Sequence, residues 1–128
     1  MTNGLRKIEL LAPAKNLECG IAAIDHGADA VYIGAAQFGA RQTAGNSTED
    51  IAELTRYAHQ FGAAVYVTVN TIVYEKELHA LEHLLRQLVE MGVDAILVQD
   101  MAVLEIYKEL KAEYMKRGYR MPALHAST

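Results

Sequence analysis

The sequence predicts an α/β fold in which short strands alternate with helices. One pattern recurs along the 128 residues: an amphipathic segment, a glycine, one or two small or acidic residues, and an apolar run with a polar end. Glycine is favoured just past the end of a helix, where the backbone often takes a left-handed conformation. Short runs rich in valine, isoleucine and tyrosine favour strands. The copies begin at Gly27, Gly62, Gly92 and, more loosely, Gly118.

The predicted elements follow one another as β-α-β-α-β-α-β-α-β. An opening strand is predicted at 8–12, and four more lie within 27–34, 62–70, 92–99 and 123–128. Apolar residues at three- and four-residue spacing mark the core-facing stripe of each helix between them. In chain order these stripes are Leu17, Ile21 and Ile24; Ile51, Leu54, Ala58 and Phe61; Leu78, Leu81, Leu85, Leu88 and Met91; and Val103, Ile106, Tyr107 and Leu110. Ser47, three residues before Asp50, predicts a capped start for the second helix.

Strict alternation of strands and helices requires parallel strands joined by right-handed crossovers. Strands covered by helices on both faces are near-continuous apolar runs, but in the third strand valines alternate with Tyr66, Thr68 and Asn70. The alternation favours a barrel, whose upper lumen is wetter than its helical side. A full barrel needs about 250 residues. We therefore expect residues 1–128 to form one unit, the amino-terminal half of a TIM-type (β/α)8 barrel; the alternative is a complete five-stranded sheet.

Composition excludes several classes of protein. Apolar residues make up 52% and charged residues 22%, as in an average globular protein, and the net charge of −4 provides no basic stripe for a dedicated nucleic-acid module. No apolar stretch approaches the ~20 residues of a membrane-spanning helix, and no signal peptide is visible. The single cysteine, Cys19, excludes an intrachain disulfide and a multi-cysteine metal site. We expect a cytoplasmic protein without membrane contact and without a cofactor held by this chain.

Several blocks of the sequence resemble a known family in the order in which that family has them. They lie at residues 9–14, 22–34, 38–41 with 44–46, 65–71, 93–100 and 125–128. The chain resembles the amino-terminal part of the U32 peptidase family, whose members are often called collagenase-like proteases. Some relatives are described as proteases. Others take part in hydroxylating RNA bases or the ubiquinone ring with cysteine-bound iron–sulfur clusters.

The resemblance implies an enzyme and leaves three hypotheses for its function. The first is the amino-terminal barrel portion of a U32 peptidase, a hydrolase acting on peptides. The alternative is part of an iron–sulfur-dependent relative that hydroxylates RNA or an aromatic quinone ring, with the cluster in the full-length parent. The third is a non-catalytic scaffold. The family's signature block, with its glutamate and paired cysteines, is not in this sequence, so the chain alone is expected to be inactive.

In barrel enzymes the site lies at the carboxyl ends of the strands and in the loops that follow. These ends and the predicted lumen face give nine candidates for substrate binding: Glu9, Tyr32, Arg41, Asn46, Asn70, Gln99, Asp100, His125 and Ser127. The guanidinium of Arg41 suits a carboxylate or phosphate; alternatively it pairs with Asp100 or Glu9 and holds its loop in place. A carboxylate at Glu9 on the lumen face would be partly desolvated, or would form half of a buried ion pair.

No catalytic residue is assigned from the sequence. The amides of Asn70 and Gln99 can orient a substrate but cannot act as a general base. His125 and Ser127 share a strand face, yet a nucleophilic serine needs a base within hydrogen-bond reach, and no Gly-x-Ser-x-Gly elbow is present. We expect Glu9, Tyr32, Asn70, Gln99 and His125 to project from one face of the sheet, because they keep the same alternation parity.

The predicted half-barrel also has consequences for assembly. Closure of a barrel pairs every strand, whereas a sheet of five strands leaves two edges, here at 8–12 and 123–128. Unpaired strand edges invite pairing with another chain. We therefore expect self-association through these edges or through the lumen face.

Overall fold

The computed structural model describes residues 9–36, 45–69, 77–98 and 100–126. Five strands alternate with four helices in the predicted order: β1 Leu11–Ala14, α1 Leu17–Asp25, β2 Ala30–Gly34, α2 Thr48–Gln60, β3 Ala64–Val69, α3 Leu78–Met91, β4 Ala95–Val98, α4 Met101–Lys116 and β5 Ala123–Ala126. All strand pairs are parallel, and the sheet order is β1-β2-β3-β4-β5. A doubly wound sheet reverses its strand order at a switch point. This sheet keeps one direction throughout, which confirms the predicted arrangement of part of a (β/α)8 barrel.

The four helices end in the same way. The predicted glycines all have positive φ, at +98°, +74°, +86° and +86° for Gly27, Gly62, Gly92 and Gly118. The residue after each glycine donates its backbone N–H to the carbonyl oxygen five residues back, over 2.9–3.3 Å. This bond is the mark of a Schellman motif. The repeated glycine therefore ends each helix and directs the chain into the next strand.

Three helices begin with a side-chain cap. Asn16 Oδ1 accepts the backbone N–H of Cys19 at 2.9 Å, and Ser47 Oγ accepts that of Asp50 at 3.1 Å. Asp100 Oδ1 accepts the backbone N–H of Ala102 at 2.8 Å. These bonds satisfy N–H groups that have no partner within the helix. The cap predicted at Ser47 is confirmed.

The core lies between the helices and one face of the sheet. The strand residues on that face are buried and aliphatic, among them Val31, Ile33, Val65, Val67 and Ile96. The helices cover them with buried residues from the predicted stripes: Ile51, Leu54, Ala58, Leu81, Leu85, Leu88, Val103 and Leu110. The alternation that the sequence shows in β3 is therefore the alternation between this packed face and a second face without helices.

The structure corrects three details of the predicted elements. β1 begins at Leu11 and continues through Pro13, which was expected to lie beyond the strand. Proline is tolerated there because β1 is at the edge of the described sheet, where a missing N–H removes no bond to a neighbouring strand. Phe61 follows the last turn of α2 and is 63% exposed. Tyr114, one turn past Leu110, extends the stripe of α4 and is wholly buried.

Acidic residues of the repeat hold the amino-terminal side of the sheet. Asp29 Oδ2 accepts the N–H of Leu10, and Asp94 Oδ2 accepts the N–H of Val65, each at 2.8 Å. Both aspartates follow a helix-ending glycine by two residues and bond to the strand that neighbours their own. These carboxylates therefore have a structural role far from the carboxyl ends of the strands.

Replacement of Leu54 by alanine should strongly destabilise the chain. Leu54 is wholly buried, and its Cδ1 lies against Gly20 in α1, where an added Cβ would be 2.7 Å away. Removing a buried leucine leaves a cavity, so Leu54→Ala should lower the free energy of unfolding by about 2–5 kcal/mol in urea titration. Met115→Ala is the control, because that side chain is 57% exposed and should change the value by no more than about 0.5 kcal/mol. Equal effects of the two variants would contradict this description of the core.

Candidate functional site

We call the sheet face opposite the helices the inner face; beyond Leu11, Ala30 and Ala64 at its amino-terminal side, it carries two rows of residues. Strand register places Pro13, Tyr32, Tyr66, Ala95 and Ala123 in the first row. The second row, one pleat nearer to the carboxyl ends, contains Gly34, Thr68, Leu97 and His125. Successive side chains of a strand point to opposite faces, so both rows share one face. Tyr32 and His125 thus lie on the same face, as their parity predicts.

Aromatic rings dominate the inner face. Tyr32 is 38% exposed and pairs across the sheet with Tyr66. The rings of Tyr66 and His125 meet edge to face, with their centroids 5.9 Å apart and their planes at 72°. Burial, aided by the negative charges of Glu9 and Asp94, raises the pKa of the Tyr66 phenol above its ordinary value. The Tyr66 hydroxyl therefore stays protonated at neutral pH.

Tyr66 was missed among the sequence candidates although its signal was present. It occupies the same alternation parity as Thr68 and Asn70 in the third strand. Aromatic residues are common in strands for packing reasons alone, so its type did not single it out. Its position became informative only with the register that brings Tyr32 beside it and His125 within ring contact.

Glu9 differs from its expected environment. It precedes β1, on the amino-terminal side of the sheet, and is exposed. The expected desolvation of its carboxylate is therefore not found. Its charge acts on the Tyr66 phenol, as described above, but its position is at the opposite end of the strands from the carboxyl edge.

Asn46 joins the carboxyl ends of β1 and β2. Its side chain is buried, and its Nδ2 donates to the carbonyl oxygens of Gly34 at 2.9 Å and Lys15 at 3.2 Å. Its backbone N–H donates to Gly34 at 2.9 Å, and its carbonyl oxygen accepts the N–H of Ala36 at 3.0 Å. Both donors of the amide nitrogen are thus directed at the backbone. The described contacts give Asn46 a role in closing the loop.

Gly45 makes this junction possible. Its φ is +91°, and a Cβ built on it would lie 2.2 Å from the carbonyl oxygen of Ala35. A side chain is therefore excluded both by backbone conformation and by space. The close approach lets Asn46 form an isolated parallel bridge with Ala35.

The other candidates divide into two groups. Asp100 follows β4 and caps α4 through the bond to Ala102 described above. Arg41, Asn70, Gln99 and Ser127 lie outside the described residues, so their roles stay predictions. The suggested pairing of Arg41 with Asp100 or Glu9 belongs with them. Cys19 lies in α1 and is exposed.

Residues 15–117 match the model of Peptidase family U32. The chain belongs to this family. It is 50% identical over 106 residues to the 23S rRNA 5-hydroxycytidine C2501 synthase of Escherichia coli (strain K12), covering 83% of this chain and 16% of that protein. It is 41% identical over 104 residues to an uncharacterized protease of Methanocaldococcus jannaschii, covering 80% of this chain and 26% of the relative.

A third relative is the tRNA hydroxylation protein P1 of Bacillus subtilis (strain 168), 43% identical over 101 residues, with coverage of 78% of this chain and 24% of the relative. The U32 chain thus spans between about a sixth and a quarter of the length of these curated relatives. In the ranges that the structure describes, no helix is long and apolar enough to cross a membrane.

The described residues of this U32 chain do not fit an iron–sulfur cluster. Such clusters are held mainly by several cysteine thiolates, and the chain has one cysteine, which is exposed in α1. Over the described ranges, no group of three histidine, cysteine, aspartate or glutamate residues is placed to hold a metal ion.

Asn46 Nδ2 is the donor in both of its hydrogen bonds, and this direction predicts that an acidic substitution changes stability in a pH-dependent way. Asn46→Asp replaces a donor by a carboxylate facing the carbonyl oxygens of Gly34 and Lys15. Burial beside these oxygens should raise the pKa of the introduced carboxyl in the folded state, so stability is retained at low pH and lost as the pH rises. We expect urea titration to show a loss of about 1–3 kcal/mol at pH 7 and a smaller loss at pH 4.

The same substitution at Asn16 is the control. Asn16 accepts a hydrogen bond from the backbone of α1, and an aspartate keeps that acceptor while suiting the helix dipole. Asn16→Asp should therefore leave the free energy of unfolding at pH 7 unchanged or slightly increased. A loss for Asn46→Asp that is equal at both pH values would show that its amide donors do not matter.

Proposed function

We propose that this chain forms part of the RNA-binding wall of an enzyme that hydroxylates RNA. The observation that carries the proposal is the 50% identity to the rRNA 5-hydroxycytidine synthase across 83% of the chain. The 43% identity to the tRNA hydroxylation protein P1 supports the same class of substrate. RNA of either kind is a cytoplasmic substrate in bacteria, which agrees with the expected location.

The geometry supports a role in binding and orienting a substrate. The inner face carries phenol, hydroxyl and imidazole groups at Tyr66, Thr68 and His125. Such groups make hydrogen bonds and ring contacts with a substrate. The role that we assign to this wall is to hold the reacting part of the RNA at the carboxyl edge of the sheet, where barrel enzymes have their sites.

The second candidate function is the peptidase activity in the family's name, favoured by the 41% identity to the protease of Methanocaldococcus jannaschii. A hydrolytic serine or threonine needs a base within hydrogen-bond reach. On the described inner face, Thr68 and His125 lie on β3 and β5 with Leu97 between them, so their backbones are about 10 Å apart. No hydrogen bond joins these two described side chains, so the arrangement gives the peptidase less support than the RNA proposal.

A segment exchange tests the proposed function. The aligned segment of the Escherichia coli synthase is replaced by this chain, and the chimera is expressed in cells that lack the synthase. Because half of the aligned residues are identical, we expect 5-hydroxycytidine to reappear at C2501 of 23S rRNA, measured by mass spectrometry of the isolated fragment. The unaltered synthase and an empty vector are the controls.

Two results would contradict the proposal. One is a chimera that accumulates in soluble form at the level of the unaltered synthase yet leaves C2501 unmodified. The other is a purified chimera that cleaves gelatin, which would favour the peptidase. Immunoblotting of the soluble fraction distinguishes a folded but inactive chimera from one that fails to fold.

We also propose that the chain self-associates through its strand edges. Within the described sheet β1 and β5 each have one neighbouring strand, and Leu10 and Leu11 beside the β1 edge are 54% and 47% exposed. We expect sedimentation at micromolar concentration to show a dimer or larger species. Leu11→Lys should shift it toward the monomer, because a charged edge resists pairing. A monomeric wild-type chain with a sharp cooperative melting transition would contradict edge pairing.

A further inference from the structure

Three side chains with aromatic rings lie on the described inner face, on strands β2, β3 and β5. We propose that Tyr32, Tyr66 and His125 form a stacking shelf for one nucleobase of single-stranded RNA, with Tyr66 as the central ring. The inference rests on the proposed function and deepens it, because it names the part of the RNA that these residues hold.

The shelf is a product of strand register. Tyr32 and Tyr66 are direct neighbours on β2 and β3, so their backbones are about 5 Å apart. His125 stands on β5, one pleat nearer to the carboxyl ends, and its ring meets that of Tyr66 at 72°. The two rings therefore meet at an angle and do not stack on each other.

Gly34 and Thr68 follow Tyr32 and Tyr66 on the inner face, one pleat nearer to the carboxyl ends. A Cβ built at Gly34 would lie 3.3 Å from Thr68 Oγ1, so the Thr68 hydroxyl fills the space that a side chain at Gly34 would need. This hydroxyl therefore borders the two tyrosines on the carboxyl side of the sheet.

The chemistry of the shelf suits a nucleobase. Bases are planar and stack on tyrosine and histidine, and proteins that recognise single-stranded RNA use such rings together with polar groups at the base edge. The protonated hydroxyl of Tyr66, the Thr68 hydroxyl and the His125 nitrogens supply donors and acceptors for that edge. The two rows of the inner face contain no carboxylate, and the acidic charges that act on Tyr66, those of Glu9 and Asp94, lie on the amino-terminal side of the sheet. The RNA backbone is therefore expected on the carboxyl side of the rings.

Binding of labelled oligonucleotides to the full 128-residue chain tests the shelf. The probe is fluorescein-labelled pentacytidylate, compared by anisotropy at low salt with a ribose-phosphate pentamer that lacks bases. We expect pentacytidylate to bind and the abasic pentamer to bind much more weakly. Tyr66→Ala should weaken pentacytidylate binding by about 5- to 150-fold, the range for loss of one stacked base. Tyr66→Phe, which keeps the ring, should retain most of the affinity.

Two further variants separate the shelf from general effects. Tyr32→Ala removes a ring that is already 38% exposed, so it should keep the fold and still weaken pentacytidylate binding. Phe61→Ala is the matched control, because Phe61 is an exposed aromatic residue beyond the end of α2 and should not affect binding. Circular dichroism of every variant checks that the fold is intact.

The shelf is overturned if pentacytidylate and the abasic pentamer bind equally, or if folded Tyr66→Ala and Tyr32→Ala bind as the wild type does. It is also overturned if gelatin peptides bind in a Tyr66-dependent manner while pentacytidylate does not. Cytidine binding that depends on Tyr66 supports the shelf even where the chimera leaves C2501 unmodified, so the failure of the proposed function is recognised separately.

Discussion

The end of each helix is the constraint on which the rest of this sheet depends. Each helix ends at a glycine with positive φ, and the next N–H returns to a carbonyl five residues earlier. Because this turn is repeated four times, β2 to β5 start in the same way, and all five strands run in the same direction. The carboxyl ends of the strands consequently gather at one edge. The polar and aromatic residues near that edge are brought together by the turn, although they are far apart in sequence.

Local spacing explains why so much of the fold could be predicted. Apolar residues three and four apart identified the helix stripes, and the glycines identified the helix ends, because both signals are contained in a few consecutive residues. The predictions that differ from the structure concern the ends of elements, which the spacing of apolar residues does not determine. Phe61 has the spacing of the α2 stripe but follows its last turn, and Tyr114 continues the α4 stripe one turn past Leu110, where the predicted stripe ended. The extension of β1 through Pro13 depends on its edge position, which is a property of the whole sheet.

The candidate site was less predictable, and for a different reason. Parity along single strands correctly placed Tyr32 and His125 on one face. The partners of a side chain across the sheet depend on register, which local patterns do not specify. Tyr66 was therefore not among the predicted site residues. The sequence predicts that the Asn46 amide binds a substrate, but its nitrogen donates to carbonyl oxygens 12 and 31 residues away. The atoms with which a polar side chain bonds are decided by tertiary contacts.

The junction at Asn46 has a consequence for how this part of the family can vary. The backbone N–H of Ala36 donates to Asn46 and that of Asn46 donates to Gly34, so these bonds, with Gly45, fix the two ends of the segment from 37 to 44 next to each other. Once such a stem exists, the entropy of closing a loop grows only slowly with its length. Insertions or deletions within the segment should therefore leave the barrel wall intact. A stem of this kind therefore lets the length of the segment change at a small cost in folding free energy.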